Sequence, residues 1–484
     1  MSSVGPTAVR ANGRADARSA PLPDHQTVEA PPATADNDAI AVVHEDFDKR
    51  RERFLPLTRF ALLDRLTLAE AWAPGQAQEV RRFFRYLDYW RQQQYSAQIL
   101  ELEQTYEPFS PDTDLLMTRK FSAVERASMQ RRVVEGMRSV LAQANYERID
   151  PAKVEVIMTT ESHYGLDLVV DMGAFEEIEI WYRGASTRRD ERRSLKRFFR
   201  KEEFDVPIFQ RLFVLFKLKP FEKRVAEEMM RSNLAREDAE KRVKRMRAML
   251  PPQVREGNIY MKLFKNIPRT DLEMVFPNTE VRFRLLDKVK LGLTASGGLG
   301  FGAFGAAGKI AMIASNPIGA AGAVFALGGV VFRQAVAFMN QKQRDMVVMA
   351  KNVYFHSMAD NRGVMLKLAN RAAEEDVKEE MLLYTVLAKE KATRADLTEI
   401  DHGIERWLSS AFGLNVDFDL HDALDRLIAD GIVTERDDGT LATLPPREAA
   451  LHVDAMWDAF LDHLPDPPRA EGVEFEGSED SALA

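Results

Sequence analysis

The densest group of side chains that could do chemistry in this sequence is basic and lies between residues 183 and 201. Its lysines and arginines are interleaved with Phe198 and Phe199 and stand beside acids such as Asp190 and Glu191. Near a membrane surface, each such cation attracts anionic headgroups by about 1 kcal/mol. We therefore predict contact with lipid headgroups or other anions through Arg183, Arg189, Arg192, Arg193, Lys196, Arg197 and Arg200. A solvated helix face, partly neutralised by the neighbouring acids, is the alternative.

Two glycine-containing motifs further along the chain are partial matches to nucleotide sites. Residues 300–305 read GFGAFG, but a dinucleotide fingerprint also needs a preceding strand and an acid about 20 residues later. The next acid in the chain is Asp345. Residues 305–309 read GAAGK, but a P-loop would need glycine in place of Ala303 and serine or threonine in place of Ile310. The first motif lacks its structural context and the second is incomplete, so we predict no cofactor.

Candidate acids, bases and nucleophiles are scattered rather than grouped. The histidines form no pair with metal-ligand spacing beside an acid on one helix face. In Glu161-Ser162-His163, adjacent residues of a strand would point to opposite faces, which favours a turn over a nucleophile. Asp271 and Glu273 suit helix capping better than catalysis. The chain has no cysteine, which excludes thiol chemistry. We predict no catalytic residue and no metal site.

The element that would place these groups relative to a membrane is an apolar tract over residues 291–332, with Lys309 as its single charge. One helix crosses a bilayer core with roughly 20 apolar residues, so this length suits two crossings. A turn signal, Ser315-Asn316-Pro317, lies near the middle. Small residues repeat every four positions, which lets helices approach closely in lipid. We predict a two-helix Gly/Ala-rich membrane hairpin over residues 288–340, built around Gly298, Gly302, Gly305, Lys309, Pro317, Gly319 and Gly322.

Positive charges flank the tract on both sides. Lys288 and Lys290 precede it, and Arg333, Lys342 and Arg344 follow it. By the positive-inside rule, both soluble parts would lie on the cytoplasmic side, or in the equivalent interior compartment. The alternatives are a re-entrant or interfacial hairpin, a Gly-rich hairpin buried inside a soluble protein, and a flexible Gly/Ala loop.

Composition divides the chain into sections around this hairpin and predicts an α+β, mainly helical protein. An apolar content of 45% supports several cores, and 29% charged residues argue against a polytopic membrane protein. The first 40 residues contain few large apolar side chains, which predicts disorder, with a transit peptide as the alternative. The sections are a disordered tail (1–40), a helical region (41–150), a small antiparallel β-containing domain with charged helices (151–287), the hairpin (288–340), a helical region (341–393), a winged-helix-like module (394–464) and an acidic tail (465–484).

Within residues 151–287 the pattern alternates between strands and charged helices. Runs rich in Val, Ile, Phe and Trp predict an antiparallel meander of Val154–Ile157, Leu166–Val170 and Phe175–Trp181, with further strands at Val206–Leu218 and Ile259–Phe264. Acids and bases mix at helical spacing in two other runs. We therefore predict charged helices over Arg188–Glu203 and Glu222–Met249.

The section 394–464 has the order helix, helix, strand, turn, strand, helix, which is the order of a winged helix. A DNA reader needs a basic recognition helix. The candidate helix over Asp419–Asp430 instead carries four aspartates against Arg426 alone. Together with a net charge of −8, this argues against nucleic acid as a partner. We predict a module for protein contact or a purely structural domain.

Three phrases occur in order around the tract. They are Trp181-Tyr182-Arg183-Gly184, the segment LFKNIPRTDLEMVFP at Leu263–Pro277, and the segment Asn352–Leu387. In these phrases the chain resembles an uncharacterised membrane family, domain of unknown function 3754, which includes the transmembrane protein 143 relatives. The resemblance covers about residues 154–392. It implies an integral membrane protein with a hairpin and soluble flanks, and no catalytic residue, because the family has no established activity.

Three functions from different classes are consistent with these features. The first is a membrane-anchored, non-enzymatic scaffold or regulator at the cytoplasmic face of an inner membrane, with membrane lipid as one partner and a protein bound through the C-terminal module as another. The second is a small oligomeric pore or transport element, in which several hairpins pack into a homo-oligomer. The third is an enzyme acting on a lipid or phosphate ester, which requires convergent acids and a pocket near Tyr182-Arg183-Gly184.

Overall fold

The architecture is that of a computed structural model of the chain. It describes residues 47, 51–112, 119–150, 153–154, 157, 167–194, 200–248, 250–282, 357–464 and 472–474. The α-helices of these residues are α1 (Arg59–Leu66), α2 (Gln76–Tyr106), α3 (Ala123–Gln143), α4 (Phe221–Ser232), α5 (Arg236–Arg247), α6 (Arg362–Leu387), α7 (Leu397–Phe412), α8 (Leu420–Ala429) and α9 (Pro446–Asp458). Their β-strands are β1 (Arg119–Lys120), β2 (Glu147–Arg148), β3 (Asp167–Val170), β4 (Phe175–Ser194), β5 (Arg200–Leu218), β6 (Ile259–Pro268), β7 (Thr279–Arg282), β8 (Ala359–Asp360), β9 (Ala392–Thr393), β10 (Val433–Glu435), β11 (Thr440–Thr443) and β12 (Val473–Glu474). The protein is therefore of mixed α+β class with antiparallel sheets.

A five-stranded antiparallel sheet, with strand order β2-β4-β5-β6-β8, organises the β region. Successive side chains of a strand point to opposite faces, and the central strands are apolar at both sets of positions. Trp181, Phe213 and Leu263 pack on one face with residues of α2, α3 and α6. Leu212 and Phe264 pack in a separate core on the other face. The sheet is therefore covered on both sides.

Strands β4 and β5 form a long antiparallel hairpin, paired from Phe175 opposite Leu218 to Ser194 opposite Arg200. The prediction of a charged helix over Arg188–Glu203 is therefore wrong, because residues 188–194 and 200–203 lie on the two strands of the hairpin. Strand β6 pairs only with the inner part of β5. A ribbon without a third strand accepts charged residues on both faces, so mixed charges at helical spacing were an insufficient signal for a helix.

The predicted three-stranded meander does not form. Lys153, Val154 and Ile157 are helical, where a first strand was predicted. Val154 and Ile157 stand three residues apart and are buried in the same core, as one face of a helix requires. Strand β3 pairs with β7 in a separate two-stranded sheet rather than with β4. The strands predicted at Val206–Leu218 and Ile259–Phe264 are confirmed within β5 and β6.

The charged helix predicted over Glu222–Met249 forms as two helices, α4 and α5, which end at Arg247. Asn233 ends α4 with a φ of 47°, a left-handed conformation that asparagine tolerates better than most residues. The two helices pack against each other through Val225, Ala239 and Val243. This small core explains why the chain turns back at Asn233.

Helices α2 and α6 pack against each other in the largest apolar core of the described residues. This core includes residues from 55 to 90, before the Gly/Ala tract, and from 377 to 453, after it. Phe83 and Phe84 of α2 contact Tyr384 of α6, with ring centroids 4.6 and 5.8 Å apart. The sections that composition defines therefore share a hydrophobic core instead of each having its own.

The section 394–464 contains α7, α8, the hairpin β10–β11 and α9 in the predicted order. Strand β11 also pairs with β9, which gives a sheet of order β10-β11-β9. Asp419 caps α8 by accepting a hydrogen bond from the Asp422 N–H. Gly439 has a φ of 77°, as the predicted Asp438-Gly439 turn requires.

The predicted membrane hairpin over residues 288–340 lies outside the described residues, in the segment 283–356. The chain on either side of this segment meets in one sheet, because β8 pairs with β6. Within the part of the chain that the structure describes, no helix has the length and apolarity to cross a bilayer.

Candidate functional site

Helix α6 carries a densely charged run, EEDVKEE at residues 374–380, inside the helical body. Glu375, Asp376, Lys378, Glu379 and Glu380 are each at most 3% exposed. In a helix, residues at these spacings lie on adjoining parts of the surface. A charge removed from water needs a partner of opposite sign and hydrogen bonds. The elements around α6 must therefore supply both.

Three acids of α6 and one acid beyond α8 form a group that we name the carboxylate cluster: Asp376, Glu379, Glu380 and Asp430. Arg91 of α2 joins two of them. Its Nε donates to Glu380 Oε1 at 2.8 Å, and its Nη2 lies 2.6 Å from Asp430 Oδ2. Arg91 is itself buried, so these ion pairs tie α2 to α6 and α8 within the core.

Arg426 of α8 contacts the other side of the same cluster. Its Nε lies 2.8 Å from Glu380 Oε1, its Nη2 lies 2.6 Å from Glu379 Oε2, and its Nη1 lies 3.3 Å from Asp376 Oδ1. The planar fork of arginine allows one side chain to engage several carboxylates at once. The single base of the predicted recognition helix therefore points into the protein rather than toward a nucleic acid.

Neutral side chains complete the hydrogen bonds of the cluster. Tyr95 donates to Asp376 at 2.7 Å, Asn145 donates to Glu379 at 2.9 Å, and Trp90 donates to Asp430 at 3.2 Å. Each carboxyl of the cluster thus has two partners. Buried carboxyls are stable when they are paired in this way.

Four carboxyls share two guanidinium groups in this cluster, so positive charge is in deficit. Burial raises the pKa of Glu379 to about 8, against the opposing effect of Arg426. Burial also raises the pKa of Asp376 to about 6, again opposed by Arg426. Glu379 therefore holds a proton near neutral pH, and the cluster is sensitive to pH.

A second buried pair lies where α6 faces the segment 54–58. Glu375 and Lys378 are 2.9 Å apart. Lys378 Nζ also donates to the carbonyl oxygens of Leu55 and Leu57, at 2.6 and 3.2 Å. Glu375 accepts a hydrogen bond from the Leu55 N–H at 3.1 Å. Burial lowers the pKa of Lys378, and Glu375 opposes that shift. The pair fixes the segment 54–58 against α6.

Beside this pair lies a cavity of about 230 Å³, which we name the arginine pocket. Its walls are the segment 54–58, Arg183 of β4, Gln210 and Arg211 of β5, and Arg371 and Glu374 of α6. The Nη1 atom of Arg183 lies 3.1 Å from Glu375 Oε1 and 3.2 Å from the carbonyl oxygen of Ala144. The Arg183 guanidinium also lies 4.4 Å from the centre of the Phe54 ring, a favourable cation–π contact.

One of the residues predicted to contact lipid headgroups or other anions lies inside the protein. Arg183 is 8% exposed and paired with Glu375 inside the protein. Strand β4 runs under α6 at this point, so alternate residues face the interior. Arg189 is exposed, with its Nε 3.9 Å from Asp205.

The other predicted site residues are placed only in part. Arg192, Arg193 and Arg200 lie on the strands of the outer hairpin. Outside the described residues lie Lys196, Arg197, Gly298, Gly302, Gly305, Lys309, Pro317, Gly319 and Gly322.

A group of metal-capable side chains on α7 was not singled out by the sequence patterns. Donor atoms of Asp401, His402 and Glu405 lie within 4.8 Å of one another. Glu405, however, accepts hydrogen bonds from Arg51 at 2.8 and 2.9 Å, and His402 is exposed. The group is therefore best described as a surface ion-pair cluster.

The buried charges of α6 were missed by reasoning from sequence, which predicted only a helical region there. One signal was available: Ala372-Ala373 precede the charged run and Met381-Leu382-Leu383 follow it. A helix with apolar residues on all sides must bury its charges. The partners carry no local signal, since Arg91 and Arg426 stand 289 and 46 residues from Glu380.

Fold and site together define an α+β protein organised around a buried ion-pair network. Residues 209–363 match the profile of a family described as Protein of unknown function (DUF3754). This match confirms the resemblance to an uncharacterised family, whereas kinship with the transmembrane protein 143 relatives stays a prediction. No solved structure matches the chain.

Proposed function

We propose that this protein is a membrane-anchored, non-enzymatic scaffold or regulator at the cytoplasmic face of an inner membrane. A helical hairpin within residues 288–340 holds it in the bilayer, and the folded body lies on one side. Membrane lipid is one partner, and a protein bound through the section 394–464 is another. The observation that carries this proposal is the pairing of β6 with β8 across the Gly/Ala tract.

This pairing holds the chain that follows the segment 283–356 against β6, a strand that precedes the segment. Lys262 stands opposite Asp360, with Nζ and Oδ1 3.1 Å apart, and the Met358 N–H donates to the Leu263 carbonyl at 2.7 Å. Helix α6 follows directly and shares a core with α2. Because one folded body holds both ends, a segment that enters the bilayer must return to the same side. A two-helix hairpin does so, whereas a single crossing would require the paired strands to separate.

Exposed apolar residues near the end of the helical body support a protein partner. Trp457, Leu461 and Leu464 are each at least 40% exposed. The three residues lie within eight positions of the chain, and exposed apolar side chains that adjoin one another suit a contact surface. The winged-helix-like order of this section, with Arg426 turned toward the carboxylate cluster, favours protein over nucleic acid.

We place the contact with the bilayer surface on the outer part of the β4–β5 hairpin. Arg189, Arg192, Arg193 and Arg200 lie on these two strands. The ribbon continues past the end of β6, so it can reach a surface that the rest of the sheet does not touch. Near an anionic bilayer each cation contributes about 1 kcal/mol.

The absence of cysteine from the chain makes single-cysteine variants a direct test of topology. Val124→Cys in α3 and Leu461→Cys after α9 replace exposed residues on opposite sides of the tract in the sequence. We expect both to react with a membrane-impermeant maleimide only in inside-out vesicles. Ser315→Cys, at the predicted hairpin turn, should react from the opposite side. The cysteine-free protein is the control.

Extraction with alkaline carbonate should leave the protein in the membrane fraction. Release into the wash, or labelling of Val124→Cys and Leu461→Cys from opposite sides, would overturn the proposal. Labelling of Ser315→Cys from the same side as the body would replace the spanning hairpin by a re-entrant one. A stable multimer in mild detergent would favour the oligomeric pore over the scaffold.

A further inference from the structure

We infer that the arginine pocket is a binding site for a phosphate group. Arg183, Arg211 and Arg371 line it, and its volume of about 230 Å³ gives room for a phosphate and a few further atoms. Arginine suits this ligand because its fork donates two parallel N–H groups to a pair of phosphate oxygens. The phosphate is either a free anion or the headgroup of a phosphomonoester lipid.

A row of like charges across the sheet is the first observation behind this assignment. Arg183, Arg211 and Lys265 stand directly opposite one another on β4, β5 and β6. Residues in such register share one face, with Cβ atoms about 5 Å apart, and like charges at that spacing destabilise a sheet. An anion between them would convert this repulsion into attraction.

Nearby carboxylates neutralise only part of the charge at the pocket. Arg371 pairs with Glu374 at 2.7 Å, and Arg183 pairs with Glu375 at 3.1 Å. Glu375 is shared with Lys378. The residues that line the pocket include three arginines and one acid, Glu374, so its walls carry an excess of positive charge that a phosphate complements.

Donors without a full set of acceptors are the second observation. The Nε atom of Arg183 has no hydrogen-bond partner in the described part of the chain, although the side chain is more than nine-tenths buried. Arg211 donates from Nη1 to the Gln210 carbonyl at 2.7 Å. A buried donor without an acceptor is unfavourable, and a phosphate oxygen would supply the acceptor.

The pKa values of neighbouring groups reflect the same convergence of charge. Burial lowers the pKa of Arg183, and Arg371 also lowers it, while Glu375 acts in the opposite direction. Burial raises the pKa of the Tyr146 hydroxyl, and Arg183, Arg211 and Arg371 all oppose that rise. The three guanidinium groups therefore act together on one point beside the pocket.

The pocket is accessible from solvent along its outer side. The Arg371 side chain is 41% exposed, and Lys265 is exposed, whereas Arg183 is buried. An incoming anion would thus meet Arg371 first and reach Arg183 last. Displacement of solvent around Arg183 strengthens the final contact, since charge pairs interact more strongly away from water.

The test uses the full chain in detergent and presents the phosphate in two forms. Inorganic phosphate represents the free anion, and mixed micelles of phosphatidylcholine with or without phosphatidic acid represent the headgroup. We expect binding by the wild-type protein that is about tenfold weaker or worse in Arg211→Gln and in Arg371→Gln. Arg131→Gln replaces an exposed arginine of α3 and should bind like the wild type.

Thermal unfolding separates binding from a structural role of these arginines. Without phosphate, Arg211→Gln should unfold no earlier than the wild type, because it removes repulsion of Arg183. With saturating phosphate, Arg211→Gln should unfold at a lower temperature than the wild type. Stabilisation by inorganic phosphate assigns the free anion, and stabilisation by phosphatidic acid alone assigns the lipid headgroup. No stabilisation of the wild type by either form, or equal stabilisation of Arg211→Gln, would overturn the inference.

Discussion

Four carboxyls and two guanidinium groups meet between α2, α6 and α8 in the protein interior. Removing one partner of such a buried pair destabilises strongly, because the remaining charge loses its compensation. The shortage of positive charge has a second effect at the residue scale. A proton on Glu379 is favourable near neutral pH, since burial holds the pKa of that carboxyl at about 8. The cluster therefore links stability to pH.

Substitution of Glu379 by glutamine should remove most of this linkage. The pKa of Glu379 rises from 4.5 to about 8 on folding, so the folded state binds more protons between these two pH values. Stability of the wild type should therefore fall as the pH rises from about 4.5 to about 8. Glu379→Gln should show a flatter profile and greater stability at pH 9, by on the order of a few kcal/mol. Thermal or denaturant unfolding at several pH values measures the slope of the profile and the stability at pH 9.

The matched control is Glu399→Gln, which replaces an exposed glutamate of α7. Its profile should run parallel to that of the wild type. An unfolding midpoint of Glu379→Gln below the wild type at pH 9 would contradict the assignment of the bound proton to this carboxyl.

At the scale of elements, the β4–β5 hairpin depends on one glycine. Gly184 lies between Arg183 and Ala185 of β4 and has a φ of 77°. That conformation strains any L side chain. A Cβ at this position would also lie 2.7 Å from Cδ of Gln210 on the neighbouring strand. The glycine lets Arg183 face the interior while the ribbon continues outward.

Replacement of this glycine by alanine should therefore destabilise the hairpin. We expect Gly184→Ala to lower the free energy of unfolding by about 1–3 kcal/mol. Gly257→Ala is the control, because a Cβ there meets nothing within 4 Å. The double variant Gly184→Ala, Gln210→Ala should regain only the part of the lost stability that is due to the contact of the new Cβ with Gln210. Equal stability of Gly184→Ala and Gly257→Ala, measured by denaturant unfolding, would show that residue 184 is not strained by a side chain.

At the scale of the whole molecule, α6 joins regions that lie on both sides of the Gly/Ala tract. It packs on α2 from the N-terminal part and on α8 from the C-terminal part, and one core holds all three. Arg91 and Arg426 reach the same Glu380 from opposite sides. These regions should therefore unfold together as a single cooperative unit.

A cavity made in α8 tests this cooperativity. Leu424 is fully buried, and Leu424→Ala should lower stability by about 2–5 kcal/mol. Hydrogen exchange should then accelerate in α2 as well as in α8. Leu451→Ala, at a position of α9 that is 50% exposed, should leave exchange in both helices unchanged. Faster exchange confined to α8 would show that the two regions unfold separately.

Local patterns in the sequence were sufficient for much of the secondary structure. The apolar runs within β5 and β6, the charged helices α4 and α5, and the Asp438-Gly439 turn all follow from residues close in the chain. The prediction for Arg188–Glu203 was wrong because its local pattern suits both a helix and a two-stranded ribbon with no third strand beside it. The choice between them came from the pairing of β4 with β5, most of which lies outside that run.

The sequence by itself determined the composition, the apolar tract with its basic flanks, and the local periodicity that builds most strands and helices. Only the tertiary structure decided which charges are buried and with which partners. It placed Arg183 opposite Arg211, joined Arg91 to Glu380, and paired β6 with β8 across the tract. The physical reason is that burial and ion pairing depend on distances between residues far apart in the chain. Periodicity carries information about one element's faces, but not about the element that will cover them.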